Sequence, residues 1–146
     1  MLSPSLEDYL EEVYRLSLNK KEIRNKDIAD VLNVSMPSVV KGLKKLKNMG
    51  YIKYEPYEKI EVLEKGKKRG KFLVERNRIL RQFVDVIGSK CDEKAEAEAM
   101  EHYLCISSIK SIEKLVSFFN NNPEIEKEFR NYNIESILEN DDIEYR

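Results

Sequence analysis

The sequence predicts a mainly α-helical protein with one small β-hairpin: a winged helix-turn-helix domain followed by an all-helical domain. Three observations carry that prediction. Apolar residues recur at helical spacing through most of the chain, interrupted once by a short stretch that alternates at period two. Cap and stop residues fall at the ends of each periodic run. Charge is divided along the chain: residues 20–71 hold 15 Lys or Arg against 7 Asp or Glu, whereas residues 92–146 hold 6 against 14. The net charge of −1 conceals this division.

Ser3-Pro4-Ser5 opens the first helix, predicted over residues 5–18, with Leu6, Tyr9, Leu10, Val13, Tyr14 and Leu16 as its apolar stripe. Asn25 is the expected cap of a second helix bearing Ile28, Ala29 and Leu32, and Asn33-Val34-Ser35 breaks it. Ser35 caps a third helix, with Pro37 in the first turn, where a missing N–H costs nothing. Val39, Val40, Leu43 and Leu46 form its buried face, and Gly50 ends it. Residues 51–54 and 59–63 then read as paired strands around the turn Glu55-Pro56-Tyr57-Glu58. A long helix over 65–87 follows, striped by Phe72, Leu73, Ile79, Leu80, Phe83, Val84 and Ile87 and closed by Gly88. Residues 92–104, 107–121 and 123–131 are three further helices, and the tail after about 133 is unassigned. The domain division expected from this order is 1–71 and 72–146.

Composition narrows the function. No apolar run approaches the ~20 residues a membrane span needs, and no basic segment followed by an apolar run marks a secretory leader. Cys91 and Cys105 are too few for a disulfide framework or a thiolate zinc site, so a cytoplasmic location is expected. A basic domain joined to an acidic one points to double-stranded DNA as the partner of the first. The third helix carries small groups at its N-terminal end, Ser35, Pro37 and Ser38, then Lys41 and Lys44. Short side chains let such an end approach a major groove closely, and its free N–H groups attract phosphate. Tyr57 and Lys59 on the hairpin are the expected wing contacts. Arginine is sparse there, so bidentate Arg–guanine contacts from this helix are excluded and operator shape must carry part of the selectivity.

Two acidic clusters suggest a second chemistry. Asp8 and Glu11 share one face of the first helix, and Glu98, Glu101 and His102 share one face of a helix some ninety residues later. If those faces meet, the carboxylates repel unless a cation neutralises them. An oxygen-rich set with one imidazole suits Mn²⁺ or Fe²⁺ better than a thiolate-preferring ion. His102 is the single histidine, which excludes a di-iron carboxylate enzyme built on two Glu-x-x-His pairs. No HExxH motif, phosphate-binding glycine loop or Ser-His-Asp set is present either, so an enzyme is not expected.

The order of parts resembles the diphtheria-toxin-repressor family of metal-dependent transcription regulators, most closely its short manganese-responsive branch. The residues that carry the likeness are S-x-E-D-Y-L-E-E-V-Y at 5–14, D-I-A-D-V-L-N-V-S-x-P-S-V-V-K at 27–41, G-Y-I-x-Y-E-x-Y at 50–57, G-K-x-x-G-K at 66–71 and E-A-M-E-H at 98–102. The resemblance spans about residues 3–122. It implies a repressor that acts as a homodimer, joined mainly through the helices after the wing, and that controls metal-ion homeostasis. It also implies metal ligation by Asp8, Glu11, Glu98, Glu101 and His102, with position 77 as a sixth site. Asp8 and Glu98 are the oxygen-donor choices of the manganese branch, where iron-responsive members often carry Met and Cys. Many members have a further small β-barrel domain, for which a chain of this length is not expected to have room. At position 77, where members usually carry His, this chain has Asn77, an amide that binds Mn²⁺ more weakly. Asn77 leaves open weaker metal affinity, one ion in place of two, or a regulator of the same fold that has lost metal control.

Overall fold

The computed structural model describes residues 1–19, 22–56 and 58–138. Among these, seven helices and one two-stranded hairpin follow in the order α1 (Pro4–Asn19), α2 (Asn25–Leu32), α3 (Met36–Asn48), β1 (Ile52–Lys53), β2 (Glu61–Val62), α4 (Glu64–Val86), α5 (Glu93–Glu101), α6 (Ile106–Asn121) and α7 (Pro123–Asn131). Beyond α7 the described chain forms neither helix nor strand.

Local chemistry sets most boundaries. Ser35 caps α3 by accepting from the Ser38 amide at 3.3 Å, with Pro37 in the first turn. Gly50 and Gly88 adopt φ of +79° and +74° after α3 and α4, a region that favours glycine. Asp92 caps α5 by accepting from the Lys94 and Ala95 amides, both at 3.0 Å, so this helix begins at Glu93. Two expectations need correction. The residue preceding α2 is Arg24, not Asn25: the Asn25 amide is drawn away to donate to the Tyr54 hydroxyl at 3.0 Å, tying α2 to the wing. The strands are also shorter than the period-two pattern implied. Only Ile52 pairs with Val62 and Lys53 with Glu61, because the Tyr51 amide is committed to the Leu46 carbonyl at the end of α3, leaving only its carbonyl to accept from Leu63 across the hairpin.

Two apolar cores result. The larger joins Leu6, Leu10 and Val13 of α1, Ile28 of α2, Val39, Leu43 and Leu46 of α3, Ile52 and Val62 of the wing, and Leu73 of α4. The smaller joins Val86 with Val116 and Phe119 of α6, against Phe83, Ile87 and Ile112. The 23-residue α4 is common to both. At ~1.5 Å per residue it is a rod of roughly 34 Å. Close approach requires glycine on that rod: a Cβ at Gly66 would stand 2.1 Å from the Tyr51 carbonyl oxygen, and one at Gly70 would stand 2.5 Å from the Tyr14 ring. This accounts physically for the paired glycines of the 66–71 motif. α1 in turn lies against α3, where a Cβ at Gly42 would meet the Tyr9 ring at 2.7 Å.

Candidate metal centre and nucleic-acid face

α1, α4 and α5 enclose a polar cavity of about 580 Å³ whose walls include Asp8, Glu11, Asn77, Glu98, Glu101 and His102. All the residues expected to ligate metal therefore border one space, although they come from three helices. They are not equally close. Single ligand atoms of Asp8, Glu101 and His102 lie within 4.8 Å of one another, and those of Glu11 and Glu98 fall outside that compact group. His102 Nε2 stands 3.3 Å from Asp8 Oδ1 and 3.6 Å from Glu101 Oε1. His102 is the residue that closes α5, in helical backbone conformation, not an interior residue of a helix running to 104.

The carboxylates carry the strain of this arrangement. Burial pushes Glu11 up to about 7, with the nearby Glu101 charge adding to the effect and Arg15 opposing it. Burial likewise raises Asp8, aided by Glu98 and Glu7, and raises Glu101, aided by Asp8. Glu98 is exposed at the rim. Asn77 is 8% exposed and donates its amide to Glu101 Oε2 at 3.1 Å. Arg15 meets Glu11 Oε1 at 2.9 Å, and Arg81 is held by Glu93 at 3.1 Å. The donor chemistry fits a hard divalent cation: close carboxylate oxygens beside one imidazole, in a place where negative charge is disfavoured without a counter-ion.

The residue that sequence reasoning missed is Glu7. It is 7% exposed and receives Arg69 at 2.8 Å, Arg76 at 2.9 Å and His102 Nδ1 at 2.8 Å. Burial raises its carboxyl, but the bonds from Arg76, His102 and Arg69 outweigh burial and hold it below the usual range. An ionised carboxylate only accepts, so Nδ1 carries the proton and the Nε2 lone pair is turned toward Asp8 and Glu101. No local pattern marks Glu7, because its partners stand 62, 69 and 95 residues away.

The basic face is separate. Ser35, Pro37, Ser38, Lys41 and Lys44 are all exposed on α3. The Ser35 and Ser38 hydroxyls lie 2.8 Å apart at its N-terminal end. Lys59 is exposed and pairs loosely with Glu22 at 3.4 Å. Tyr57 lies outside the described residues. A groove of about 910 Å³ runs between α2, α3 and the wing, bordered by Arg24, Lys26, Lys44, Lys47 and Lys59 with Glu22, Glu55 and Glu58 interspersed.

Comparison with known proteins decides the family. The description "Iron dependent repressor, N-terminal DNA binding domain" matches residues 1–60, and "Iron dependent repressor, metal binding and dimerisation domain" matches residues 63–130. The chain belongs to the iron-dependent repressor family. The HTH-type transcriptional regulator MntR of Lysinibacillus sphaericus (strain C3-41) is 41% identical to this repressor over 130 residues, 87% of this chain and 92% of that protein. The protein of the same name from Bacillus velezensis (strain DSM 23117 / BGSC 10A6 / LMG 26770 / FZB42) is 40% identical over 132 residues, 89% of this chain and 92% of that one. Among solved structures, the manganese regulator SloR superposes with a TM-score of 0.70 at 26% identity, covering 80% of this chain and 55% of that chain. The repressor thus spans about half the length of that structural relative. It is a metal-dependent, DNA-binding transcriptional regulator with a dimerisation domain, and not an enzyme. No helix among its described residues is long and apolar enough to cross a membrane.

Proposed function

We propose that this repressor is a manganese-responsive homodimer that shuts off metal-uptake genes by binding a near-palindromic operator in the cytoplasm. Fe²⁺ is the second candidate ion. The observation that carries this reading is the convergence of Asp8, Glu101 and His102 from α1 and α5 on one point. Those three residues would hold the ion, with Glu11 and Glu98 as neighbouring carboxylates and Asn77 steadying Glu101. When bound, the ion supplies the positive charge that cancels repulsion between the acidic faces of α1 and α5. The solved relative described as a manganese regulator favours Mn²⁺ over Fe²⁺.

The protein's own residues do the rest. Glu7 turns the imidazole so that Nε2 faces Asp8. Asp8 lies one residue from Tyr9, whose ring abuts Gly42 of α3, so the setting of α1 is felt by the helix that enters the groove. Ser35, Pro37, Ser38, Lys41 and Lys44 form its reading end, and Lys59 with Tyr57 the wing contacts. In a dimer two such helices must meet major-groove faces ~34 Å apart per turn of DNA. The functional divide, 1–71 and 72–146, falls inside α4. Coupling of ~1–3 kcal/mol between the two sites would change operator affinity by roughly 5- to 150-fold, and operator must tighten ion binding by the same factor. Operator binding measured with Mn²⁺, with Fe²⁺ and with chelator tests this. A gain within that range with Mn²⁺ is expected, and equal binding in all three would defeat it in favour of a regulator without metal control.

A further inference from the structure

The cavity between α1, α4 and α5 contains cations of its own. Five carboxylates border it, those of Asp8, Glu11, Glu12, Glu98 and Glu101, and so do Arg15, Arg81 and Lys94. Part of the local negative charge is already met within the protein, since Glu93 pairs with Arg81 and Glu11 with Arg15.

The built-in cations are not placed evenly. Arg81 is drawn to Glu93, at the α5 edge of the cavity. Arg15 instead sits one turn beyond Glu11 on α1 and places Nη2 2.9 Å from Glu11 Oε1. The Glu11 side chain is 13% exposed, so this guanidinium fills much of what that carboxylate can contact. The compact group of Asp8, Glu101 and His102 forms without Glu11. Beside the compact group, Asn77 turns its NH₂ group to Glu101 Oε2 at 3.1 Å, and an NH₂ donor has no lone pair to offer a metal. One end of the cavity is thus arranged to receive an ion, and the other already has its counter-charge.

We propose that Arg15 is a resident cation standing where a second metal ion would otherwise be required. Each protomer then takes a single divalent ion at Asp8, Glu101 and His102, and the Arg15–Glu11 pair sets the concentration at which it is taken. This rests on the metal reading proposed above. Mn²⁺ alone, in equilibrium dialysis against the full-length dimer with elemental analysis, is the test. Wild type should retain one Mn²⁺ per protomer. Arg15→Gln should bind it about tenfold more tightly, the effect expected on removing one like charge from near a divalent ion in a partly solvated pocket. Arg15→Lys, which keeps the charge, should stay within about twofold of wild type on the same argument. Arg15→Gln combined with Asn77→His should retain two ions. The Arg15 side chain is 41% exposed and outside both cores, so circular dichroism should show these variants folded. Two ions per wild-type protomer, no gain in Arg15→Gln, or a double variant that stays at one ion would overturn the inference while leaving the metal reading intact. A wild-type protein that retains no Mn²⁺ would overturn both.

Discussion

At the scale of single residues, function is concentrated in groups placed where their charge is costly. His102 has its Nδ1 anchored by Glu7 and its Nε2 aimed at Asp8 and Glu101. His102→Ala should abolish the Mn²⁺-dependent gain in operator affinity while sedimentation still reports a dimer; a retained gain would remove His102 from the site. Glu11 gives a pH prediction. Its carboxyl is raised to about 7 from 4.5, chiefly by burial. A group with a raised folded value binds more protons folded than unfolded, so it favours folding below its unfolded value, and that contribution is lost as pH rises through the folded one. Melting temperature in chelator should therefore fall between about pH 5 and about pH 8, and Glu11→Gln should flatten that fall. An unchanged slope in Glu11→Gln would place the titration elsewhere. Mn²⁺ should bind more tightly across the same interval, because loss of the Glu11 proton adds negative charge near the ion.

At the scale of elements, the sequence was most readable where a boundary is made by a local group. Ser35, Gly50 and Gly88 each mark an end by chemistry confined to a few residues, and the helices they delimit agree with expectation to within a residue or two. Where a side chain is claimed by a distant partner, local reading fails. Asn25 has the chemistry of a cap but serves Tyr54. Glu7 resembles any acid in a first turn until α4 and α5 supply its three partners. The acidic faces themselves were legible because helical spacing is local, and their meeting was suggested only by likeness to a family. The paired glycines of α4 show the same limit, since their spacing is visible but the neighbours that forbid a side chain are not. Gly66→Ala should destabilise the protein by about 1–3 kcal/mol through overpacking against the Tyr51 backbone. Urea titration measures this, and a variant equal to wild type would mean that the wing simply moves aside.

At the scale of the whole molecule, charge separates two tasks along one chain. The basic segment presents exposed lysines on α3 and around the wing groove, while carboxylates of α1 and α5 meet at the cavity between α1, α4 and α5. Lys41→Ala should weaken operator binding and lower its salt dependence by roughly one ion, as for any lost phosphate contact. Binding isotherms at several salt concentrations check this, and an unaltered slope would mean that Lys41 makes no such contact.

The clasp on Glu7 has a mechanical corollary. Arg69 and Arg76 are two helical turns apart on α4, and both close on a single carboxylate projecting from α1. Sliding α1 along α4 by one turn would strand a buried guanidinium, a loss of about 3–5 kcal/mol for a pair broken in the interior. Intermediate offsets are therefore penalised, and α1 meets α4 as a tooth meets a notch. Any rearrangement that carries a signal from one half of this protein to the other must proceed in clicks and not by creep.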